Sequence, residues 1–227
     1  MPEPVVLLHS HGLSGSQWRK LAAELEARGR RVLAPDLTGQ GTSEPWPEPE
    51  PFSFRIDVER VAELARGADV VGHSYGGLVA LHVARAVPVR SLSLYDPVAF
   101  GVLAPDERRE LDALDLRWDD PERWLRTFVE FWSGRGAWDA LREEARAEFR
   151  RVAWVIREGV RTLVDDRTTF ADLEVPTLLI TGEHSPPPER RVVERLRGKH
   201  VVLPGVGHLG PVTHARDVNP LILAHLA

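Results

Sequence analysis

Short apolar segments bounded by turn residues recur along this 227-residue chain. Their residues are β-branched or leucine-rich, and apolar and polar positions do not alternate cleanly within them. That pattern is typical of parallel strands that are covered on both faces. It predicts six strands, at Val5–Leu8, Arg31–Ala34, Asp69–Val71, Ser91–Tyr95, Thr177–Thr181 and His200–Leu203.

Helical periodicity fills most of the intervals between these strands. Trp18, Leu21 and Leu25 share one helix face, and Gly29 follows as a stop signal. The pair Asn219–Pro220 predicts the start of the last helix, because Asn caps helices well and Pro fits a first turn. The alternation of strands and helices predicts an α/β fold. We expect a mostly parallel, doubly wound sheet of about six strands with helices on both faces.

The stretch from about Leu103 to Asp172 interrupts this alternation. It contains no strand-like run, and its apolar residues recur at helical spacing, as Trp124, Phe128 and Trp132 do. We therefore predict a helical insertion at residues 103–172. The α/β core would then be formed by residues 1–102 and 173–227.

Composition narrows the function classes. The chain is 43% hydrophobic with a net charge of −5, so it can bury a core and shows no basic footprint for nucleic acid. The absence of cysteine excludes disulfides, thiolate metal sites and a cysteine nucleophile. The apolar run at Val5–Leu8 is too short for a signal peptide or a membrane span. We expect a cytoplasmic protein without a membrane partner, and no metal motif such as H-E-x-x-H occurs.

The pentapeptide Gly72–His73–Ser74–Tyr75–Gly76 carries the clearest chemical signal. A strand-like segment precedes it, and an apolar helical run follows it. A serine on such a sharp strand-to-helix turn presents its hydroxyl to the outside, and the flanking glycines let helix and strand approach closely. Ser74 is therefore the candidate nucleophile.

A serine hydroxyl needs a base within hydrogen-bond reach, and His208 is the candidate. It follows the last predicted strand, and reactive groups of open parallel sheets collect beyond the carboxyl ends of the strands. A solvent-exposed loop histidine is the alternative interpretation. The backbone N–H groups of Tyr75 and Leu13 are candidate donors to the oxyanion that forms in acyl transfer. The alternative interpretation of the loop that contains Leu13 is an ordinary tight turn, in which Ser16 caps the following helix.

The order of four motifs along the chain resembles that of the α/β-hydrolase fold superfamily. The motifs are His11–Gly12, Asp36–Ser43, Gly72–Gly76 and Gly207–His208. The resemblance covers nearly the whole chain and implies a short, serine esterase-like form that begins at the family's third strand. It also implies that the insertion is a cap, which covers the pocket and sets substrate choice.

The expected acid of the catalytic triad is where the chain departs from this family. The family's G-x-x-D pattern reads Gly182–Glu183–His184–Ser185 here, with serine at the place of the acid. Some members of the superfamily carry the acid after the strand that follows the nucleophile, which is the position of Asp96. We therefore predict Asp96 as the acid, with Glu183 as the alternative and no acid at all as the third possibility. An Asp–Pro turn without a catalytic role is the competing interpretation of Asp96.

These observations predict a cofactor-free serine hydrolase that cleaves a small, mostly apolar carboxylic ester through an acyl-enzyme. A small-molecule substrate is the expected partner, and the oligomeric state is not indicated. If the insertion caps the site, four of its aromatic residues are expected to line an acyl pocket; packing in the core is the alternative. These residues are Trp124, Phe128, Trp132 and Trp154. A carbon–carbon bond hydrolase or lyase on the same scaffold, or a non-catalytic ligand-binding relative, are the competing functions.

Overall fold

A computed structural model describes residues 3–114 and 117–227 of the chain. Residues 1–2 of the predicted core and 115–116 of the predicted insertion lie outside the described residues. All six predicted strands are confirmed, apart from one or two residues at their ends. They are β1 (Pro4–Leu8), β2 (Arg31–Leu33), β3 (Asp69–His73), β4 (Ser91–Tyr95), β5 (Thr177–Gly182) and β6 (Lys199–Leu203).

The strands form one sheet in the order β2-β1-β3-β4-β5-β6, and every neighbouring pair is parallel. The chain moves outwards from β1 to β2 and then returns to β3 on the other side of β1. The order therefore reverses between β1 and β3, and in open parallel sheets this is where a crevice opens beyond the carboxyl ends of the strands. The loop after β1 and the Ser74 turn after β3 both lie at this crevice.

Ten α-helices occur in the part of the chain that the structure describes, and none is long and apolar enough to cross a membrane. Short 3₁₀ segments lie at Gly15–Trp18, Phe100–Val102 and Glu107–Leu114. The helices are α1 (Arg19–Ala27), α2 (Phe54–Ala65), α3 (Tyr75–Ala86), α4 (Pro121–Ser133), α5 (Ala137–Ala140), α6 (Glu143–Arg151), α7 (Ala153–Asp165), α8 (Pro187–Arg195), α9 (Gly210–Thr213) and α10 (Ala215–His225).

Helices cover both faces of the sheet, so the predicted doubly wound architecture is confirmed. Val5 and Leu7 of β1 pack with residues of α1 and α10 in one hydrophobic cluster. Val6 and Leu8 of the same strand pack with residues of α2, α3 and α8 in the other cluster. Because successive residues of a strand point to opposite faces, a strand covered on both sides is apolar throughout. This explains the absence of clean alternation in the sequence.

The start of the last helix differs from the sequence-based prediction. Helix α10 begins at Ala215, and Pro220 lies inside it. The side chain of Asn219 does not cap the helix, because its Nδ2 donates to Glu24 Oε1 of α1 at 3.1 Å. Buried Val218 and Ile222 pack α10 against the sheet, and this tertiary burial outweighs the backbone hydrogen bond that Pro220 removes.

The segment between β4 and β5 is helical, with α4 to α7 and no strand among its described residues. Helix α4 begins at a well-formed N-terminus, since the Asp120 side chain accepts a hydrogen bond from Arg123 N at 3.0 Å and Pro121 occupies the first helical position. Its buried face includes Trp124, Phe128 and Trp132. Helical spacing alone therefore places these three rings on the same side of α4.

Candidate active site

Ser74 lies on the sharp turn between β3 and α3. Its φ of 55° and ψ of −114° fall in a region that residues other than glycine seldom occupy. The turn is held on both sides, because Ser74 N donates to Tyr95 O at 2.9 Å and Ser74 O accepts from Gly77 N at 2.9 Å. A strained backbone that the surrounding structure enforces in this way is common at functional sites.

The glycines of the pentapeptide are required by close backbone contacts. A Cβ atom on Gly72 would lie 2.5 Å from Gly76 O, and one on Gly76 would lie 2.4 Å from Leu8 O. Neither position accommodates a side chain unless the backbone moves. The helix that follows Ser74 therefore starts directly against β1 and β3, and the Ser74 hydroxyl is left at the edge of the crevice.

The structure brings His208 to Ser74, with Nε2 at 3.0 Å from the Ser74 Oγ. The loop that carries His208 is fixed by two hydrogen bonds to its backbone. His73 Nε2 donates to His208 O at 2.8 Å, and the Tyr95 hydroxyl donates to Gly207 O at 2.8 Å. Burial holds the pKa of His73 well below its ordinary value, so its ring is neutral and keeps its proton on the donating Nε2.

The structure also brings Asp96 to the other side of His208. Asp96 Oδ2 lies 3.2 Å from His208 Nδ1, and Asp96 is completely buried. Asp96 has a φ of 43°, and its N–H donates to Ile180 O at 2.9 Å. Glu183 is placed elsewhere: it is exposed, and its Oε2 accepts a hydrogen bond from Gly205 N at 2.8 Å. Of the two predicted acids, Asp96 is thus the one in contact with His208.

Ser185, at the family's usual acid position, supports the carboxylate of Asp96. Its hydroxyl donates to Asp96 Oδ2 at 2.5 Å and accepts from Gly182 N at 3.1 Å. Sequence reasoning treated this serine as the loss of an acid and missed its contact with Asp96. The signal was present in the sequence, because a residue at the usual acid position lies close to the histidine whatever its type.

A second carboxyl group, Glu189 of α8, is buried near Asp96. Glu189 is completely buried, and neither of its carboxyl oxygens has a hydrogen-bond partner among the described residues. Burial, and then the negative charge of Asp96, raise the pKa of Glu189 well above its ordinary value. The charged form of Glu189 is therefore disfavoured in the folded protein. Its position three residues before buried Val192, on the same face of α8, was the available sequence signal.

Two backbone N–H groups are candidates for binding a developing oxyanion. Tyr75 is the first residue of α3, where a backbone N–H has no acceptor within its own helix. Leu13 N donates to Ser10 O at 3.3 Å, which is a long bond for an amide. The neighbouring loop is fixed by the hydrogen bond from Gly12 N to Gln40 Oε1 at 2.8 Å. To donate to an oxyanion, the Leu13 N–H would have to share its hydrogen with Ser10 O or break the hydrogen bond to that oxygen.

His11 packs under this loop as a neutral ring. It stacks on Tyr75 with 3.6 Å between ring centroids, and the Tyr75 hydroxyl donates to Asp57 Oδ2 at 2.7 Å. Burial lowers the pKa of His11 to about 3.

A cavity of about 1080 Å³ adjoins Ser74 and His208, and we call it the Ser74 cavity. Its walls come from the loop after β1, from the loop after β6 and from α4 to α6 of the helical insertion. Two of the four predicted aromatic residues, Phe128 and Trp132, line it. The Trp132 ring also stacks on His208, with 5.1 Å between centroids and 26° between planes.

The other two aromatic residues, Trp124 and Trp154, do not line the Ser74 cavity, in contrast to the prediction. Trp124 lies one helical turn before Phe128 and stacks behind it at 5.4 Å. Trp154 projects from α7 towards the loop between β2 and α2, where its Nε1 donates to Glu50 O at 2.8 Å. Helical spacing identified the face of each helix, but it did not say which turn of that face reaches the site.

His82 of α3 is a histidine outside the candidate site. It is buried, and its Nε2 lies 3.0 Å from Asp166 Oδ2, away from the Ser74 cavity. Its neighbours are the rings of Phe54 and Phe170. Within the described ranges, no group of three or more His, Cys, Asp or Glu side chains is placed to hold a metal ion.

The comparison with protein-family models agrees with the fold and the order of motifs. The model of the Alpha/beta hydrolase family matches residues 5–221. The chain belongs to this family. The doubly wound sheet of this α/β hydrolase agrees with that membership, and the resemblance inferred from its motifs is confirmed.

Individual relatives of this α/β hydrolase have several activities. Lipase LipV of Mycobacterium tuberculosis is 33% identical over 144 residues, which are 60% of this chain and 52% of the lipase, so the chain spans about half the length of that relative. The 2-hydroxymuconate semialdehyde hydrolase of Pseudomonas sp. is 26% identical over 228 residues, 94% of this chain and 70% of that enzyme. A solved structure of a thermophilic esterase from Thermogutta terrifontis has a TM-score of 0.73 at 23% identity and covers 100% of this chain and 90% of its own.

Proposed function

We propose that this α/β hydrolase cleaves small carboxylic esters with Ser74 as nucleophile, His208 as general base and acid, and Asp96 as the group that orients the histidine. One observation carries the proposal. A continuous series of hydrogen-bond contacts runs from Asp96 Oδ2 through both ring nitrogens of His208 to Ser74 Oγ, and Ser74 lines a large cavity. This is the arrangement that activates a serine for acyl transfer.

The proposed reaction has two stages. Ser74 Oγ attacks the ester carbonyl carbon while its proton passes to His208 Nε2, and the Tyr75 and Leu13 amides receive the negative carbonyl oxygen. His208 then gives that proton to the departing alcohol, which leaves an acyl group on Ser74. In the second stage a water molecule loses its proton to His208 and attacks the acyl group. The carboxylic acid departs, and Ser74 recovers its proton.

Asp96 and the helical insertion support this chemistry in different ways. The Asp96 carboxylate is buried beside Nδ1, so its negative charge stabilises the imidazolium that forms in both stages. Phe128 and Trp132 give one wall of the Ser74 cavity an aromatic surface suited to an apolar acyl or alcohol group. In this proposal the insertion at residues 103–172 acts as a cap that chooses the substrate.

Labelling with a fluorophosphonate probe tests the nucleophile. The wild-type protein should gain the mass of one phosphonyl group, and Ser74→Ala should gain none. Ser133→Ala is the matched control, because Ser133 also lines the Ser74 cavity and should still be labelled at Ser74. A panel of p-nitrophenyl esters from acetate to decanoate then measures turnover. A wild-type protein that is neither labelled nor active on any ester would refute the proposal.

A second candidate function is hydrolysis of a carbon–carbon bond. The observation that favours it is the similarity to the 2-hydroxymuconate semialdehyde hydrolase over 94% of this chain. Product analysis by mass spectrometry with a vinylogous diketone, run beside the ester panel, separates the two reactions. Turnover of the diketone with little ester cleavage would favour this second candidate. Binding without turnover of either compound would favour a non-catalytic relative.

A further inference from the structure

The mouth of the Ser74 cavity carries an excess of positive charge. Arg19, Lys20 and Arg142 line the cavity and are exposed to solvent. In the part of the chain that the structure describes, none of the three has an acidic ion-pair partner. Glu148 is the one acidic residue among the described lining residues, and Arg151 holds its carboxylate at 2.6 and 2.8 Å. The Glu148 charge is therefore already neutralised by a neighbour.

This lack of partners contrasts with the neighbouring helices of an acidic protein. The chain has a net charge of −5, and Arg150, Arg146 and Arg126 of the insertion each bind at least one carboxylate within 3.0 Å. Acidic partners thus hold these three arginines of the insertion. The three cations at the cavity mouth have been left without such partners.

The start of α1 adds a physical reason to seek a ligand. The backbone dipole makes the first turn of a helix favourable for acidic side chains and unfavourable for cations. The 3₁₀ turn Gly15–Trp18 runs directly into α1, and neither this turn nor the first turn of α1 has an acidic residue. Helix α1 itself begins with Arg19 and Lys20. Helix stability does not account for this placement, whereas an anionic ligand in the cavity would benefit from both side chains.

We infer that the physiological substrate is an amphipathic ester that carries an anionic group, such as a carboxylate, at a distance from its scissile bond. The inference rests on the proposed ester hydrolysis at Ser74. The apolar part of the molecule contacts the wall formed by Phe128 and Trp132, and the anionic end reaches Arg19, Lys20 and Arg142. The cations thereby select charged esters over neutral esters of the same length.

Two matched pairs of esters test this selection. In the first pair the charge is on the acyl side: p-nitrophenyl hydrogen suberate is compared with p-nitrophenyl methyl suberate. In the second pair it is on the alcohol side: 4-(octanoyloxy)benzoate is compared with its methyl ester. In at least one pair, kcat/KM for the anionic ester should exceed that of its neutral partner about tenfold at 10 mM salt. The ratio should approach one at 1 M salt, where the Debye length falls from about 30 Å to about 3 Å.

Single substitutions identify which of the three cations produce the preference for anionic esters. Arg19→Gln, Lys20→Gln and Arg142→Gln should each lower the anionic-to-neutral ratio by about two- to fivefold, the effect expected of one exposed charge pair. The triple variant should lower it at least tenfold. Arg28→Gln is the matched control, because it removes the same charge from the opposite end of α1, roughly 13 Å further along the helix. It should change the ratio by less than any of the three single substitutions at the cavity.

The outcomes separate this inference from the proposed function. If the neutral esters are hydrolysed and neither anionic ester is preferred, or if the triple variant keeps the wild-type ratio, the inference is overturned and the ester hydrolase stands. If no ester is hydrolysed, the proposed function fails. Calorimetry on Ser74→Ala with monomethyl suberate and dimethyl suberate then tests the charge preference alone. The cation site is supported if Ser74→Ala binds the monoanion more tightly than the neutral diester and if this preference is lost when the three cation substitutions are added. Equal binding of the two compounds to Ser74→Ala overturns it.

Discussion

Replacement of Asp96 by asparagine removes the proposed acid while keeping the shape of the side chain. The carboxylate oxygen that faces His208 Nδ1 at 3.2 Å also accepts the 2.5 Å hydrogen bond from Ser185 Oγ. In the variant, a neutral amide group replaces the charged carboxylate. The negative charge opposite the imidazolium is lost, and an amide NH₂ turned towards Nδ1 would favour the wrong tautomer of the ring.

The structure sets the size of the expected effect. The side chains of His208 and Asp96 are 2% and 0% exposed, so solvent barely screens the charge that stabilises the imidazolium. Loss of the acid's charge in a buried Ser-His-Asp triad lowers kcat by about 10⁴-fold. At about 1.4 kcal/mol per factor of ten, this corresponds to roughly 5 kcal/mol of transition-state stabilisation. We expect Asp96→Asn to lose about 10³- to 10⁴-fold in kcat, with a much smaller change in KM.

The assay is hydrolysis of the best p-nitrophenyl ester, with urea unfolding to verify that the variants are folded. Glu183→Gln is the matched control, because it makes the same change of acid to amide at the exposed alternative, and it should retain kcat within about threefold of wild type. The double variant Asp96→Asn/Ser185→Asp should regain at least tenfold over Asp96→Asn, since the new carboxylate starts from a position in contact with residue 96. The reasoning is refuted if Glu183→Gln loses the larger part of kcat while Asp96→Asn stays within tenfold of wild type.

Three further predictions follow from contacts around this centre. Ser185→Ala should lower kcat roughly 10- to 100-fold, because Asp96 loses a hydrogen bond to a charged group; an unchanged kcat would argue against this contact. Trp132→Phe, which reduces the ring stacked on His208, should lower kcat/KM for an octanoate ester by about 2- to 10-fold without unfolding the protein. Glu189→Gln should stabilise the protein increasingly as pH rises from 5.5 to 8.5, by at most about 1.4 kcal/mol per pH unit. The folded wild type keeps the Glu189 proton above the pH at which the unfolded chain releases it, so its stability falls with rising pH, and urea unfolding at both pH values measures the difference.

The sheet and the serine turn were predictable because their determinants are local. Runs such as Val5–Leu8 are apolar on both faces, and turn residues lie at their ends. Glycine is required at positions 72 and 76, because an added Cβ would lie only 2.5 Å from Gly76 O or 2.4 Å from Leu8 O. The approach of His208 to Ser74 was also predictable, since both follow strands whose carboxyl ends lie at one edge of a parallel sheet.

The environment of single side chains was less predictable, because it depends on neighbours that are distant in sequence. Trp132 and Trp154 both occur in the helical pattern of the insertion, which does not distinguish their surroundings. In the structure, Trp132 stacks on His208, whereas Trp154 donates a hydrogen bond to Glu50 O. Asn219–Pro220 has the form of a helix start, but burial of the residues around it extends the helix to Ala215. Periodicity gives the face of an element, and three-dimensional packing decides what that face meets.

The position of the acid follows from the geometry of the sheet. Strands β4 and β5 are adjacent and parallel, with Tyr95 paired to Ile180, so the residues just beyond their carboxyl ends converge on one place. Asp96 follows β4 directly and Ser185 lies in the loop after β5, and their side chains touch there. A carboxylate from either strand end has access to the same nitrogen of the histidine. The serine in the usual acid position is therefore compatible with a complete triad, since it supplies the hydrogen bond that a carboxylate on the neighbouring strand requires when it is buried.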